Sequence, residues 1–136
     1  MTEPTIGPIL EEVGQLIADV LGDVEPEGAF MYAEAGDMWQ GASIFKDLGD
    51  RVIYRDPSEE LCDAIERLWV AAEPDKKWAV LSYTISDGTF DAQFKFPDDI
   101  DPEDNSFERR ERALSERYGD KPVDYTDPWG DGKSNG

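Results

Sequence analysis

Carboxylates dominate the side chains of this chain that could carry chemistry. The 136 residues include 32 Asp and Glu, one Cys and no His. Without His, the chain lacks the usual general base near neutral pH and the commonest metal ligand, and Ser–His and Cys–His nucleophiles are excluded. The single Cys62 can form neither an internal disulfide nor a thiolate metal cluster. We therefore expect a protein that is not an enzyme and has no cofactor.

A carboxylate-based hydrolase is the catalytic alternative, because two carboxylates suffice to hydrolyse a glycosidic bond. Among 32 acids, however, some pair will always lie close together, so a pair of acids indicates little. The sequence also contains neither a GxxxxGK[ST] phosphate loop nor a GxGxxG turn.

The densest group of acids lies in a loop punctuated by proline, residues 97–105. Asp99, Asp101 and Glu103 alternate as ligands do at positions 1, 3 and 5 of a calcium loop. The pattern then fails, because position 6 is Asp104 where Gly is needed and position 12 is Arg110 where a bidentate Glu is needed. We expect no specific metal site, although a calcium-binding protein remains an alternative. The loop is either simply solvated or a docking surface for Lys and Arg of a partner.

The net charge of −19 restricts the possible partners. Residues 1–45 contain no Lys or Arg at all. Such a chain is repelled by nucleic-acid phosphates and by anionic membranes, whereas a basic protein suits its field. The segment Met1 to Pro8 has no positive region typical of a signal peptide, and no run approaches the ~20 apolar residues of a membrane helix. We expect a cytoplasmic protein.

Hydrophobic spacing predicts one α+β domain over residues 1–128 and a flexible tail over 129–136. We expect an antiparallel sheet of about five strands, a meander plus a hairpin, with helices packed on one face. Predicted helices are bounded by Thr5 and Gly22, by Ser58 (or Asp56) and Pro74, and by Ser106 and Gly119. Predicted strands cover residues 29–35, 39–46 and 51–54 and the two arms of a hairpin within residues 77–97. Gly14 costs the first helix about 1 kcal/mol relative to Ala, which close packing by another element would offset.

The hairpin is the sharpest local prediction. Asp87-Gly88 favours a two-residue turn, which fixes the pairing of the two arms. The predicted pairs are Ser86 with Thr89, Ile85 with Phe90, Tyr83 with Ala92, Leu81 with Phe94 and Ala79 with Phe96. All the apolar partners then lie on one face, while Trp78 and Val80 lie on the other, wetter face.

Two regions are predicted to contact a partner. Trp39 adjoins the polar turn at Asp37, and exposed aromatics beside acids are typical anchors of protein interfaces. The acidic loop supplies the second region, through Asp98, Asp99, Asp101, Glu103 and Asp104. The arginines at 109, 110, 112 and 117 alternate with glutamates, which indicates a salt-bridged helix with a Glu108–Arg112 pair.

The second half of the chain has a distinctive order: a strand, an Asp-Gly hairpin, an aromatic-rich strand, an acidic loop and a short charged helix. The residues that carry this order are Trp78, Tyr83, Asp87, Gly88, Phe90, Phe94, Phe107, Glu108, Arg109 and Tyr118. In these features the chain resembles the YezG-like immunity protein family. The resemblance extends less sharply over residues 5–128, with Tyr32 and Ala33 in the first strand.

The resemblance implies an antitoxin that protects the producing cell in interbacterial competition. Such proteins are encoded beside polymorphic secreted toxins, which are often nucleases or other enzymes directed at nucleic acid. An acidic surface could fill the basic cleft of a toxin, form a 1:1 complex and occlude the active site. From a different class, an acidic adaptor with a non-toxin partner remains an alternative.

Overall fold

The computed structural model describes residues 6–36, 39–72, 75, 77–101 and 103–124. The predictions for Thr5, Asp37, Pro74 and the tail at 129–136 lie outside these residues. The helices are α1 (Ile6–Leu21), α2 (Glu59–Ala71) and α3 (Ser106–Tyr118), and a short 3₁₀ turn covers Pro97–Asp99. The strands are β1 (Phe30–Gly36), β2 (Trp39–Asp47), β3 (Val52–Arg55), β4 (Val80–Ser86), β5 (Thr89–Lys95) and β6 (Val123–Asp124).

The six strands form one sheet in the order β5-β4-β1-β2-β3-β6. The α+β class and the predicted meander and hairpin are confirmed. The strand count is one higher than expected, because β6 adds to β3 in parallel through Val52 and Ile53. A strand of two residues is too short to show any hydrophobic period, so the sequence could not reveal it.

The central strand β1 is buried along almost its whole length. Its side chains alternate between two cores: Met31 and Ala33 join one, and Phe30 and Tyr32 join the other. The first core includes residues of α1 and α2, and the second includes Leu114 of α3. The prediction that all helices pack on one face is therefore wrong for α3. A central strand that is apolar on both sides needs cover on both faces.

The hairpin register is confirmed at Ser86–Thr89, Ile85–Phe90, Tyr83–Ala92 and Leu81–Phe94. It ends before the predicted pair Ala79–Phe96, because Val80 lies opposite Lys95 and the Ala79 N–H also donates to the Lys95 carbonyl at 2.7 Å. Two residues opposite one form a bulge, which breaks the alternation of the strand. As a result Trp78 lies in the first core, on the face opposite to the predicted one, and Phe96 is exposed. Val80 keeps its predicted face, but the second core buries it there.

The ends of the helices follow local capping chemistry. Ser58 caps α2, since its hydroxyl accepts from the Leu61 N–H at 3.1 Å, as predicted. The cap of α3 is Asn105, one residue earlier than expected, and it exchanges hydrogen bonds with Glu108 in a capping box.

In the part of the chain that the structure describes, no helix is long and apolar enough to cross a membrane.

Gly14 provides the close contact between α1 and the sheet. The Tyr83 hydroxyl donates to the Leu10 carbonyl at 2.6 Å, across the helix surface at Gly14. A Cβ on Gly14 would lie only 2.7 Å from the Tyr83 Oη. The close packing that would offset the cost of a mid-helix glycine is therefore present.

Gly14→Ala is expected to lower the free energy of unfolding by about 1–3 kcal/mol, because the overpacking outweighs the gain in helix propensity. Gly7→Ala in the same helix is the matched control, since a Cβ there has no atom within 4 Å apart from its chain neighbours and the nearby helix backbone. Urea denaturation measures both variants. In a Tyr83→Phe background most of the cost of Gly14→Ala should disappear, and a Gly14→Ala chain as stable as the wild type would contradict this packing.

Candidate functional site

Glu34 on β1 is the most buried charged residue that the structure describes. Its Oε2 accepts hydrogen bonds from Tyr32 Oη at 2.6 Å and from Arg109 Nε at 2.8 Å. Its Oε1 accepts a third from Arg109 Nη2 at 2.9 Å. This forked pairing is the strong form of a carboxylate–guanidinium contact. It joins the centre of the sheet to the first turn of α3.

Both donors to Glu34 keep their protons over the whole physiological range. Burial, followed by the hydrogen bond to Glu34, raises the pKa of Tyr32 far above its ordinary value. The hydrogen bond with Glu34 likewise raises the pKa of Arg109. Sequence reasoning missed Glu34 as an anchor. The available signal was a single acid inside an otherwise apolar strand, where a charge needs a partner.

Arg109 also holds the end of the acidic loop. Its Nη1 donates to the Asp104 carbonyl oxygen at 2.6 Å. The Asp104 carboxylate accepts a hydrogen bond from Arg112 Nη1 at 2.8 Å, which lowers the pKa of that carboxyl. Of the predicted contact residues that the structure describes, Asp104 is thus the one whose carboxylate pairs with an arginine. Arg112 pairs with Asp104 while Glu108 serves the helix cap, so the predicted Glu108–Arg112 pair does not form.

The other acids of the loop point outward. Asp98, Asp99, Asp101 and Glu103 are all exposed. The loop is shaped by its own backbone, since Asp99 accepts from the Phe96 N–H at 3.0 Å and Asp101 from the Glu103 N–H at 2.9 Å. Among the described residues, no Lys or Arg forms a salt bridge with any of the four. Their negative charge is therefore available to a partner.

Trp39 is the exposed aromatic side chain that the sequence predicted. It begins β2 opposite Gly36, and 51% of its surface is exposed. A Cβ on Gly36 would overlap the indole, so the ring lies across this glycine. The register of β1 and β2 places Trp39 on the same face as Ser43 and Phe45, which is the face that α3 covers.

The acidic loop and Trp39 lie at the same end of the sheet. Glu34, Val80 and Lys95 are neighbours across β1, β4 and β5, and the loop begins just beyond Lys95. Trp39 pairs with Gly36, two residues beyond Glu34. The structure thus brings together two predicted regions that are far apart in sequence. We call their described exposed residues the acidic end surface: Trp39, Asp98, Asp99, Asp101 and Glu103.

Phe107 at the start of α3 is a second exposed aromatic on this side, and sequence reasoning did not single it out as an anchor. It is 61% exposed, and the Arg110 guanidinium lies 5.5 Å from the centre of its ring. Arg110 in turn donates to the Ser43 hydroxyl on β2 at 3.1 Å. Arg110 therefore holds the Phe107 ring beside the sheet without burying it.

An open groove adjoins the acidic end surface. It occupies about 640 Å³ between α3, the acidic loop and the face of β4 and β5 that lies on the α3 side of the sheet. Both signs of charge line it, including Lys95, Arg112, Asp91 and Glu116. Among the described residues, no group of three or more His, Cys, Asp or Glu side chains is placed to hold a metal ion. The groove fits a polar segment of a macromolecule better than an apolar small molecule.

A second acidic surface covers α1 and α2 on the opposite face of the sheet. Its exposed acids include Glu11, Asp19, Glu59, Glu60, Asp63 and Glu66. The one basic residue in these two helices, Arg67, is bound to Glu12 at 2.7 Å. This surface has comparable charge, but its exposed large apolar residue is the aliphatic Val70 rather than an aromatic. Aromatic anchors therefore favour the acidic end surface as the binding site.

The chain matches no protein-family model, and no curated protein is significantly similar to it.

Replacing Arg109 tests whether the buried ion pair holds α3 and the loop in place. Arg109→Met should lower the free energy of unfolding by about 3 kcal/mol or more, because it leaves the Glu34 carboxylate buried without its partner. Arg112→Met on the same helix removes a pair whose arginine side chain is 55% exposed, so its cost should stay below about 1 kcal/mol. Equal costs in urea denaturation would show that the Glu34–Arg109 pair has no special role.

Proposed function

We propose that this chain is an immunity protein, an antitoxin that binds a cognate secreted toxin domain one-to-one and occludes its active site. The toxin domain is basic and acts on nucleic acid as a nuclease or a deaminase. The antitoxin works in the cytoplasm of the producing cell, without catalysis and without a cofactor. One observation carries the proposal: an exposed indole and four carboxylates that form no salt bridge with any described residue lie at one end of the sheet.

Charge supports a basic partner. An enzyme that acts on nucleic acid needs a positive cleft for its phosphates, and a chain with net charge −19 is attracted to such a cleft. Complementary fields accelerate association, and rapid capture matters when one free toxin molecule can damage a genome. The carboxylates of the loop would take the places of substrate phosphates.

The exposed aromatic residues favour a specific protein interface. They argue against a surface whose acids only repel other molecules or only keep the chain in solution. Charge steers an encounter, whereas buried aromatic side chains supply most of the affinity. Trp39 and Phe107 are both more than half exposed and lie on the α3 side of the sheet. Both rings are already oriented by their neighbours, so little side-chain entropy is lost when a partner covers them.

Hydrogen bonds near both ends of the acidic loop support occlusion of an active site. Asp99 accepts from the N–H of Phe96, the residue after β5, and Asp104 is bound by Arg109 and Arg112. A preorganised set of charges can match a fixed basic cleft without the cost of ordering a disordered segment. The resemblance to the immunity protein family is consistent with this mode of action.

The direct test uses the C-terminal domain of the secreted toxin that we expect to be encoded beside this gene. Producing that domain alone in a bacterial host should stop growth, and producing this chain with it should restore growth and yield a 1:1 complex. A folded, abundant chain that neither binds the domain nor restores growth would contradict the proposal. A complex that forms without protection would point to an adaptor.

Reversing the charge of the acidic loop should slow association with that domain. The variant combines Asp98→Lys and Glu103→Lys with Asp99→Asn and Asp101→Asn, because Asn keeps the acceptor oxygens of the two loop turns. The association rate constant should fall by at least about tenfold and depend less on salt. Stopped-flow fluorescence at several ionic strengths measures both.

The matched control changes the same charge on the opposite face of the sheet. It combines Glu60→Lys and Glu66→Lys with Asp63→Asn and Glu59→Gln on α2. Its association rate constant should stay within about threefold of the wild type, since steering depends mostly on charges near the contact. A larger effect in the control than in the loop variant would move the interface to α1 and α2.

Trp39→Ala should weaken the complex mainly by accelerating dissociation. Loss of a central aromatic anchor costs about 2 kcal/mol, which is roughly a thirtyfold rise in the dissociation rate constant. Val70→Ala, at a residue that is 63% exposed on α2, should leave the rate unchanged. Surface plasmon resonance measures both variants, and an unchanged dissociation rate for Trp39→Ala would remove the indole from the interface.

A further inference from the structure

The outer side of β5 is an open strand edge in the part of the chain that the structure describes. β5 ends the sheet order and pairs with β4 alone among the residues that the structure describes. Its seven residues alternate between exposed and half-buried positions, with Asp91, Gln93 and Lys95 exposed. An edge of this length presents unpaired N–H and C=O groups that can template another strand.

Backbone hydrogen bonds of β4 identify which N–H and C=O groups of β5 point away from the sheet. The Ile85 N–H donates to the Ala29 carbonyl at 3.0 Å, and the Ile85 carbonyl accepts from the Gly28 N–H at 2.7 Å. Ile85 thus bonds away from β5, so its register partner Phe90 also points its N–H and C=O away from β4. By the two-residue period, the free groups belong to Phe90, Ala92 and Phe94.

Charge on β5 selects one way for this edge to meet a copy of itself. In an antiparallel pair centred on Gln93, Asp91 lies opposite Lys95 of the second copy, and Lys95 lies opposite its Asp91. If the β5–β5 pair is instead centred on Ala92, Asp91 lies opposite Gln93. If the pair is centred on Asp91, the two copies of Asp91 lie opposite each other. Opposite charges directly across a pair are favourable, and like charges are unfavourable.

The remaining features of the strand agree with the register centred on Gln93. It places the outward groups of Ala92 opposite those of Phe94, where they can exchange hydrogen bonds. Asp91 and Lys95 then occupy a non-hydrogen-bonded pair, in which side chains approach most closely. The same register sets Phe90 opposite Phe96, which is 39% exposed in the single chain.

We propose that β5 pairs with β5 of a second copy, antiparallel about a two-fold axis at Gln93, so that two six-stranded sheets become one. The interface is isologous, and each Asp91–Lys95 contact occurs twice. The net charge of −19 on each chain opposes this approach, so the dimer is weak and is favoured when salt screens the long-range repulsion. This inference does not depend on the proposed inhibitor function.

Charge swaps at exposed positions test the pairing by sedimentation velocity over a range of concentrations. Asp91→Lys alone and Lys95→Asp alone each place like charges opposite one another, so each should lower the dimer association constant by about tenfold. The double swap restores both pairs and should return the constant to within about threefold of the wild type. Circular dichroism checks that each variant is folded.

Glu66→Lys on α2 is the matched control for Asp91→Lys, because both raise the net charge by the same amount. General repulsion predicts that both variants dimerise more strongly, whereas pairing through β5 predicts that Asp91→Lys dimerises less. Amide hydrogen exchange adds a local readout: protection of the N–H groups of Ala92 and Phe94 should rise with protein concentration. A chain that stays monomeric, or a dimer that the single swaps do not weaken, overturns the proposal.

Discussion

The buried ion pair between Glu34 and Arg109 is the interaction on which the display of the acidic loop depends. Glu34 lies on β1, whose neighbouring side chains are apolar on both faces, so its carboxylate needs a charged partner to be tolerated. Arg109 meets that need and in the same contact binds the Asp104 carbonyl. The Arg109 guanidinium thus links the start of α3 to the sheet and to the end of the acidic loop. The carboxylates between Phe96 and Asp104 are presented to solvent as a consequence.

Local chemistry determined which parts of the fold were predictable. The hairpin register follows from Asp87-Gly88 and from the alternation on either side, and it is confirmed until the bulge at Ala79. The position of α3 was not predictable, because its mostly charged sequence contributes one buried apolar side chain, Leu114, to the second core. The apolar face that requires this cover belongs to β1 and β2, and a strand buried on both sides has no alternation to reveal it.

The candidate site shows the same division between local and distant determinants. The density of acids and the prolines predicted an exposed loop, and the turn at Asp37 predicted an exposed Trp39. Nothing in the sequence links Glu34 to Arg109, which are 75 positions apart. Asp104 likewise resembles its acidic neighbours in sequence, yet its side chain is only 17% exposed because Arg112 binds it. Contacts between distant residues therefore separate the acids that hold the loop from those available to a partner.

The most direct measurement is hydrogen–deuterium exchange on the complex between this chain and the toxin domain that we propose as its partner. If the acidic end surface is the interface, binding will slow exchange around Trp39, in residues 98–103 and in the first turn of α3, and will leave α2 unchanged. Protection confined to α1 and α2, with no change in the acidic loop, would contradict the account.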